Sequence, residues 1–493
     1  MTDESTSCKQ CKEASAPVQV GVTPPPQGGV TPPAQDGVTD NSSVYYHTYD
    51  APKMHFNPLI SALPHVTDDA EEQTKRLMMK PPFSPNERNL PDSIRILLLN
   101  RLKYNFYYPS QVELKIYKSV EATIIGGYWT RNPATPSGQA ILHGLADQEN
   151  KHRRPWCPEI CPGTISLLHG ASGRGKSALL DAITRGMGSV LIVHTGFRGE
   201  KLLMNTQIVC LKRNMTDQPN STVKGISKVF ADRTDELLGS EVYGPIFMDK
   251  SLSRTHYVSE LRRIIRKHWI GIVIIDAFEH VSIVGTKGKK ELLNVLDNMR
   301  DEFGVPILLA STYECSDLLT TPSLRTTRRF IDGGEYHLVS PERKDFALFC
   351  ESFWKYQWVR KPSSLTPQLK ELLYEYSQGI NAIVLLLFRF SQEHAIREGL
   401  ETVNKSVLKK VYDQRLRLLH GVLQAIKKGD VRKYDDLYFK TMSELDPNDP
   451  TTRMAQMSAA GNVGSSADVK SADANTDSRS ASNETMKVAM GLS

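Results

Sequence analysis

No apolar run in this 493-residue chain approaches the roughly 20 residues that cross a bilayer; one of the longest spans only Ile383 to Phe388. No charged-then-apolar leader opens the sequence, which implies an intracellular, cytoplasmic protein. Cysteine is scarce and odd in number: Cys8, Cys11, Cys157, Cys161, Cys210, Cys315 and Cys350. With seven thiols in a chain read as intracellular, a disulfide framework is not expected. A zinc ion would need Cys8, Cys11, Cys157 and Cys161 together, yet the two pairs lie about 145 residues apart, so unpaired thiols are expected. No strong excess of either charge is present, the net value being +6. The distribution is uneven, however. Residues 1–50 carry two lysines against six acids and residues 451–493 carry four of each, leaving a surplus of ten positive charges on 51–450. A mildly basic middle permits nucleic-acid binding.

With 40% hydrophobic and 24% charged residues, fibrous, wholly disordered and membrane-embedded classes are excluded. The expected organisation has five parts. Residues 1–50 form a disordered arm with the imperfect repeat Gly21-Val22-Thr23-Pro24, Gly29-Val30-Thr31-Pro32, Gly37-Val38-Thr39. Residues 51–160 are an irregular N-terminal region, 161–345 an α/β core, 346–440 a helical lid, and 441–493 a polar, disordered tail. In the N-terminal region Asp92 is expected to cap one helix, and a second covers Gln111 to Ile125 and stops at Gly126-Gly127.

From Thr164 short apolar runs alternate with amphipathic stretches, the pattern of a parallel sheet with crossover helices. Strands are expected at 164–168, 190–195, 271–276, 305–311 and 336–339. Helices fit 176–186, 253–267, 288–302 and 314–320. Beyond Pro341 the chain reads as helical to about 428. Thr366-Pro367 opens one helix that Gly379 closes, Ile380 to Arg397 forms the next, and Ser406 caps another.

Gly170-Ala171-Ser172-Gly173-Arg174-Gly175-Lys176-Ser177 has the spacing G-x-x-x-x-G-K-[ST], after a strand and before a helix. The glycines let successive N–H groups point at phosphate oxygens, and the helix start adds positive potential. Lys176 is expected to reach the β- and γ-phosphates of ATP, and Ser177 to ligate Mg2+. Ile272-Val-Ile-Ile-Asp276 ends a buried strand in a carboxylate suited to the magnesium shell. Ser311-Thr312 ends the following strand in hydroxyls, a place where AAA+ ATPases carry a polar residue facing the γ-phosphate; Thr312 suits that role, with Ser311 next, or simply caps the strand. Leu324-Arg325-Thr-Thr-Arg328-Arg329 lies where ring-forming ATPases hold the arginine that reaches a neighbouring subunit's nucleotide, so Arg325, Arg328 and Arg329 are candidate fingers, or else a solvated basic turn or DNA-phosphate contact.

These residues, with their flanks, resemble the TnsC/TniB family, AAA+ regulators of bacterial cut-and-paste transposons. The resemblance covers about 55–440. Its most specific stretches are Phe56-Asn-Pro-Leu-Ile-Ser-Ala-Leu-Pro64, Ile125-Gly-Gly-Tyr-Trp-Thr-Arg-Asn-Pro133, Gly304-Val-Pro306, Tyr376-Ser-Gln-Gly379, Lys410-Val-Tyr-Asp413 and Tyr434-Asp-Asp-Leu437. It implies an AAA+ fold with ATP and Mg2+, and homo-oligomeric rings or filaments on double-stranded DNA. It also implies partnership with a target-selection protein and a transposase.

Two departures stand out. The family glutamate that follows the strand-end aspartate and positions the attacking water is replaced by Ala277; Glu279, three residues beyond Asp276, is the next carboxylate along the chain. The lid arginine is also missing, with Asn381 near its place. ATP binding is therefore expected, with slow hydrolysis. Arg198, Lys201, Lys212, Arg213 and Lys224 are candidate DNA-phosphate contacts or solvated surface charges. No helix-turn-helix signature is seen, so sequence-independent binding is expected. A phosphate-loop kinase, a replication-initiator-like ATPase and an ATP-gated scaffold without enzymatic activity remain as alternatives.

Overall fold

The computed structural model describes residues 37–38, 44–146, 162–202, 206–215, 223–248, 253–280, 285–313, 328–338 and 341–428. Its centre is a five-stranded parallel sheet. In spatial order the strands are an outer strand Cys210–Asn214, an aspartate strand Ile272–Asp276, a hydroxyl strand Ile307–Ser311, a loop strand Ile165–Gly170 and a terminal strand Glu335–Leu338. The three central strands are buried along their whole length, as parallel strands covered by helices on both faces must be. Helices Lys176–Gly186, Val223–Leu238, Arg254–Lys267 and Gly285–Phe303 supply the crossovers.

The outer strand replaces one of the expected ones. The 190–195 run yields only Leu191–Val193, which pairs antiparallel with Thr206–Ile208 in a separate two-stranded ribbon. Ile208, Val209, Cys210 and Leu211 are all buried, whereas Val193 is exposed, so the second apolar run takes the place beside the aspartate strand. The expected helix 314–320 lies outside the described residues.

The Gln111–Trp129 helix does not stop at Gly126-Gly127 but continues through both. A Cβ on Gly127 would stand 2.7 Å from Pro306 Cγ, so this glycine allows close packing rather than a stop. Ser110 and Glu113 close the helix start with a reciprocal capping box. Asp92 is the first residue of its helix, after Pro91, and not its cap. Asn404, not Ser406, caps Lys405–Arg415 by accepting from the Val407 N–H at 3.0 Å. Thr366 caps Pro367–Ser377 as expected.

The N-terminal region is divided between two cores. Leu59, Leu77, Leu114, Tyr117 and Ile124 pack with Leu179, Leu180 and Ile183 of the core. Leu99, Leu102 and Phe106 instead join Phe353, Trp358 and Phe388 of the lid. The excursion leaves and returns at one backbone bridge, Met79 to Tyr107. The arm expected over 1–50 also contains a packed piece: Tyr46 is buried, and its hydroxyl meets His194 Nδ1 at 2.8 Å and donates to the Gly196 carbonyl at 2.9 Å. Among the described residues no helix is long and apolar enough to cross a membrane. No group of three His, Cys, Asp or Glu is arranged to hold a metal among them. Cys8, Cys11, Cys157 and Cys161 lie outside the described residues. Cys210 and Cys350 are buried free thiols, each pushed up to about 12 by desolvation and so poor nucleophiles.

Candidate nucleotide-binding site

The phosphate loop leaves the C-terminal end of the loop strand, where a parallel sheet presents its ligand crevice. Gly173 and Gly175 take φ of +78° and +97°, values that Ala, Ser or Arg would adopt only under strain. A Cβ at Gly175 would meet nothing within 4 Å, so the loop there borders open space. Ser177 is exposed on the first turn of the helix behind it. Lys176 is buried and donates to the carbonyls of Gly170 at 2.6 Å and Ala171 at 3.3 Å. A loop that folds its lysine onto its own carbonyls holds a cationic donor ready for phosphate oxygens. The Ser177 hydroxyl and the Asp276 carboxylate are hard oxygen donors of the kind that could hold Mg2+.

The lid closes one side of the loop. Arg174 donates to the Gly379 carbonyl at 2.6 Å, and the Ala382 N–H donates to the Gly173 carbonyl at 3.3 Å. Burial pulls the Arg174 guanidinium below its ordinary value, opposed by Tyr374 and Tyr313. Asn381, between these contacts, has a buried side-chain oxygen with no hydrogen-bond partner among the described residues.

On the other side stand the aspartate and hydroxyl strands. Asp276 is buried and accepts from the Ala277 N–H at 2.9 Å. Ala277 itself has φ +56°, so the chain turns sharply instead of extending the strand. That turn brings Glu279 across: its Oε2 accepts from the Thr312 N–H at 3.1 Å. The sequence left the direction of Glu279 open, because the residue lies past the strand pleat. The hydroxyls of Ser311 and Thr312 are also distinguished. Ser311 Oγ lies 3.2 Å from His169 Nδ1, whereas Thr312 Oγ1 is buried without a hydrogen-bond partner among the described residues. An orphan hydroxyl beside a phosphate loop fits a ligand oxygen.

The arginines separate as well. Arg329 pairs with Asp297 at 2.6 Å and Asp301 at 3.2 Å, whereas Arg328 is exposed. Arg325 lies outside the described residues. Of the DNA candidates, Lys212 pairs with Asp181 at 2.5 Å and Arg213 with Glu236 at 3.1 Å. Arg198 and Lys201 are exposed. Arg198 sits at a tight turn with φ +54°, its guanidinium over the Phe56 ring at 4.9 Å. Lys224 falls in Val223–Leu238, and its side chain lies outside the described residues.

Sequence reasoning missed His169, buried one residue before the loop, because a histidine inside an apolar run carries no motif. Desolvation pushes it down to about 4, with Glu335 opposing.

Strand order, phosphate loop and flanking carboxylate define an AAA+ phosphate-loop fold. Residues 162–319 match the family model described as AAA domain. No curated protein matches the chain. Among solved structures it is similar to a Walker-type ATPase of Pyrococcus abyssi, at 15% identity over 54% of this chain and 72% of that one, with a TM-score of 0.37. It is also similar to the Aeropyrum pernix ORC1 protein in complex with DNA, at 14% identity, 61% and 78% coverage and a TM-score of 0.37. A third similarity is to Cdc6p of Pyrobaculum aerophilum, at 12% identity, 72% and 88% coverage and a TM-score of 0.37.

Proposed function

We propose that this chain is an ATP-dependent AAA+ regulator of DNA transposition. It binds ATP and Mg2+ at the phosphate loop, assembles on double-stranded DNA, and links a target-selection protein to a transposase. In this reading it works in the bacterial cytoplasm, on DNA. The observation that carries it is the meeting of the two most specific stretches of the TnsC resemblance. Asn57 Nδ2 donates to the Tyr128 carbonyl at 2.8 Å, and Asn132 Nδ2 to the Phe56 carbonyl at 2.9 Å. Tyr128 in turn donates to the Trp269 carbonyl at 2.9 Å, and Arg131 to the Ile270 carbonyl at 2.7 Å, just before the aspartate strand. A clasp of this kind is not required by a phosphate-loop kinase, which needs only the loop and its helix.

In the mechanism Gly170 to Ser177 wrap the phosphates, Lys176 neutralises the β- and γ-oxygens, and Ser177 with Asp276 holds Mg2+. Thr312 contacts the γ-phosphate. Glu279, already accepting from the Thr312 N–H, takes the water-aligning role only if its carboxylate also reaches the attacking water, so hydrolysis is slow and ATP-bound assemblies persist. Arg328, free of the ion pairs that hold Arg329, is the preferred finger toward a neighbouring subunit. Arg198 and Lys201 are the preferred DNA-phosphate contacts, because Lys212 and Arg213 are committed to acids within the subunit. Electron microscopy of the purified protein with duplex DNA tests this reading: ordered rings or filaments form with a non-hydrolysable ATP analogue and not without nucleotide. A protein that binds ATP but stays monomeric on DNA favours the kinase reading.

A further inference from the structure

Behind the phosphate loop, the ends of three neighbouring strands hold a packed group of ionisable rings. His169, on the loop strand, stands opposite Ser311 on one side and His337 on the other. It is 2% exposed. Its Nδ1 lies 3.2 Å from Ser311 Oγ, and its Nε2 lies 3.5 Å from Glu335 Oε1. The backbone of Thr312 also hydrogen-bonds the ring. Tyr313 and His337 stack on it, with centroids at 6.2 and 5.6 Å. Glu335 is shared with His337, whose Nε2 is 3.3 Å away. One imidazole therefore ties the residue before the loop, both hydroxyl residues and the terminal strand together.

We propose that His169 is a positioning residue for the γ-phosphate contact. It touches Thr312 through the main chain and occupies the neighbouring Ser311 hydroxyl. It thereby fixes the Thr312 side chain, which has no hydrogen-bond partner of its own among the described residues, at a set distance from the loop. ADP, lacking the γ-phosphate, does not depend on this distance; ATP does. The inference rests on nucleotide binding at the phosphate loop and names a determinant of its choice between ATP and ADP.

The test uses the full chain and fluorescent analogues of ATP and ADP. His169→Leu keeps the approximate volume and removes both ring nitrogens. It is expected to leave ADP affinity within about twofold and to weaken ATP roughly tenfold, the size of one lost hydrogen bond near a charged group. His169→Gln, which restores a donor and an acceptor, recovers most of the preference for ATP. Equal loss for both nucleotides, or an unchanged ratio in a folded variant, overturns the proposal. Should His169→Leu not fold, Ser311→Ala and Glu335→Gln give the reading while keeping the ring: a lost ATP preference in either supports it, and preference retained in both overturns it. If the unmodified protein binds neither nucleotide, the site assignment itself fails, which is distinct from a failure of His169.

Discussion

The carboxylate of Glu279 is held by the backbone N–H of Thr312, 3.1 Å away, across the gap between the aspartate and hydroxyl strands. The residue that would align water and the residue that would sense the γ-phosphate are thus joined to each other. For hydrolysis the same carboxylate would also have to reach the attacking water. Glu279→Gln keeps an acceptor for the Thr312 N–H but removes the base. We expect ATP binding to be preserved and whatever turnover exists to fall about 10²-fold, the usual size of a lost general base. Single-turnover measurements with DNA present check this. Brisk turnover unaffected by the substitution would point to a different water-positioning group.

A second prediction separates the paired arginines. Arg329 is tied to Asp297 and Asp301, so Arg329→Ala lowers thermal stability, by about 1 kcal/mol or less for a partly exposed network. Arg328→Ala, at an exposed position, leaves stability unchanged and weakens ATP-dependent assembly. Light scattering with melting curves reads both. Reversed effects would assign the finger to Arg329.

The third prediction concerns the lid. Arg95 is fully buried and donates twice to Glu401, at 2.6 and 2.7 Å, from a helix that precedes the phosphate loop. The same guanidinium donates to the Trp358 carbonyl at 2.9 Å. Removing it by Arg95→Ala leaves the nearly buried Glu401 carboxylate with Arg360 alone, at 3.2 Å, which costs at most about 3–5 kcal/mol, the range for a fully broken buried pair. Arg95, with Arg360 adding to it, holds the Glu401 carboxyl below its ordinary value of 4.5. A depressed folded value stabilises above the unfolded value. The contribution is therefore complete above about pH 4.5 and is lost as the pH falls through the folded value. Urea melts of both proteins at pH 7 and at successive pH values below 4.5 should draw together as the pH falls; a difference that stays constant throughout would show that the pair is not the source.

Much of this was legible because it is local. A phosphate loop is eight consecutive residues, and its strand and helix lie on either side. The aspartate strand, the hydroxyl strand and the Thr366 cap could be read in the same way. What escaped depends on distant partners. The outer strand was hidden because Ile208 to Leu211 is short and flanked by Gln207, Lys212 and Arg213. Gly127 reads as a stop unless Pro306 is known to press against it. Asp92 and Ser406 have the right chemistry for caps, but Pro91 and Asn404 hold those positions. Whether Ser311 or Thr312 was the free hydroxyl depended on His169, which faces them from another strand.

The central claim is that nucleotide at the phosphate loop drives assembly on DNA, and Lys176→Ala tests it most directly. The ammonium is the group that neutralises the β- and γ-phosphates. In the structure it donates to the carbonyls of Gly170 and Ala171 in its own loop and is not part of an apolar core, so the fold should survive its loss. Negative-stain microscopy of wild type and variant on duplex DNA with ATP gives the answer. Ordered assemblies for the wild type and none for a folded Lys176→Ala are the predicted result; assemblies of equal abundance in the two would contradict it.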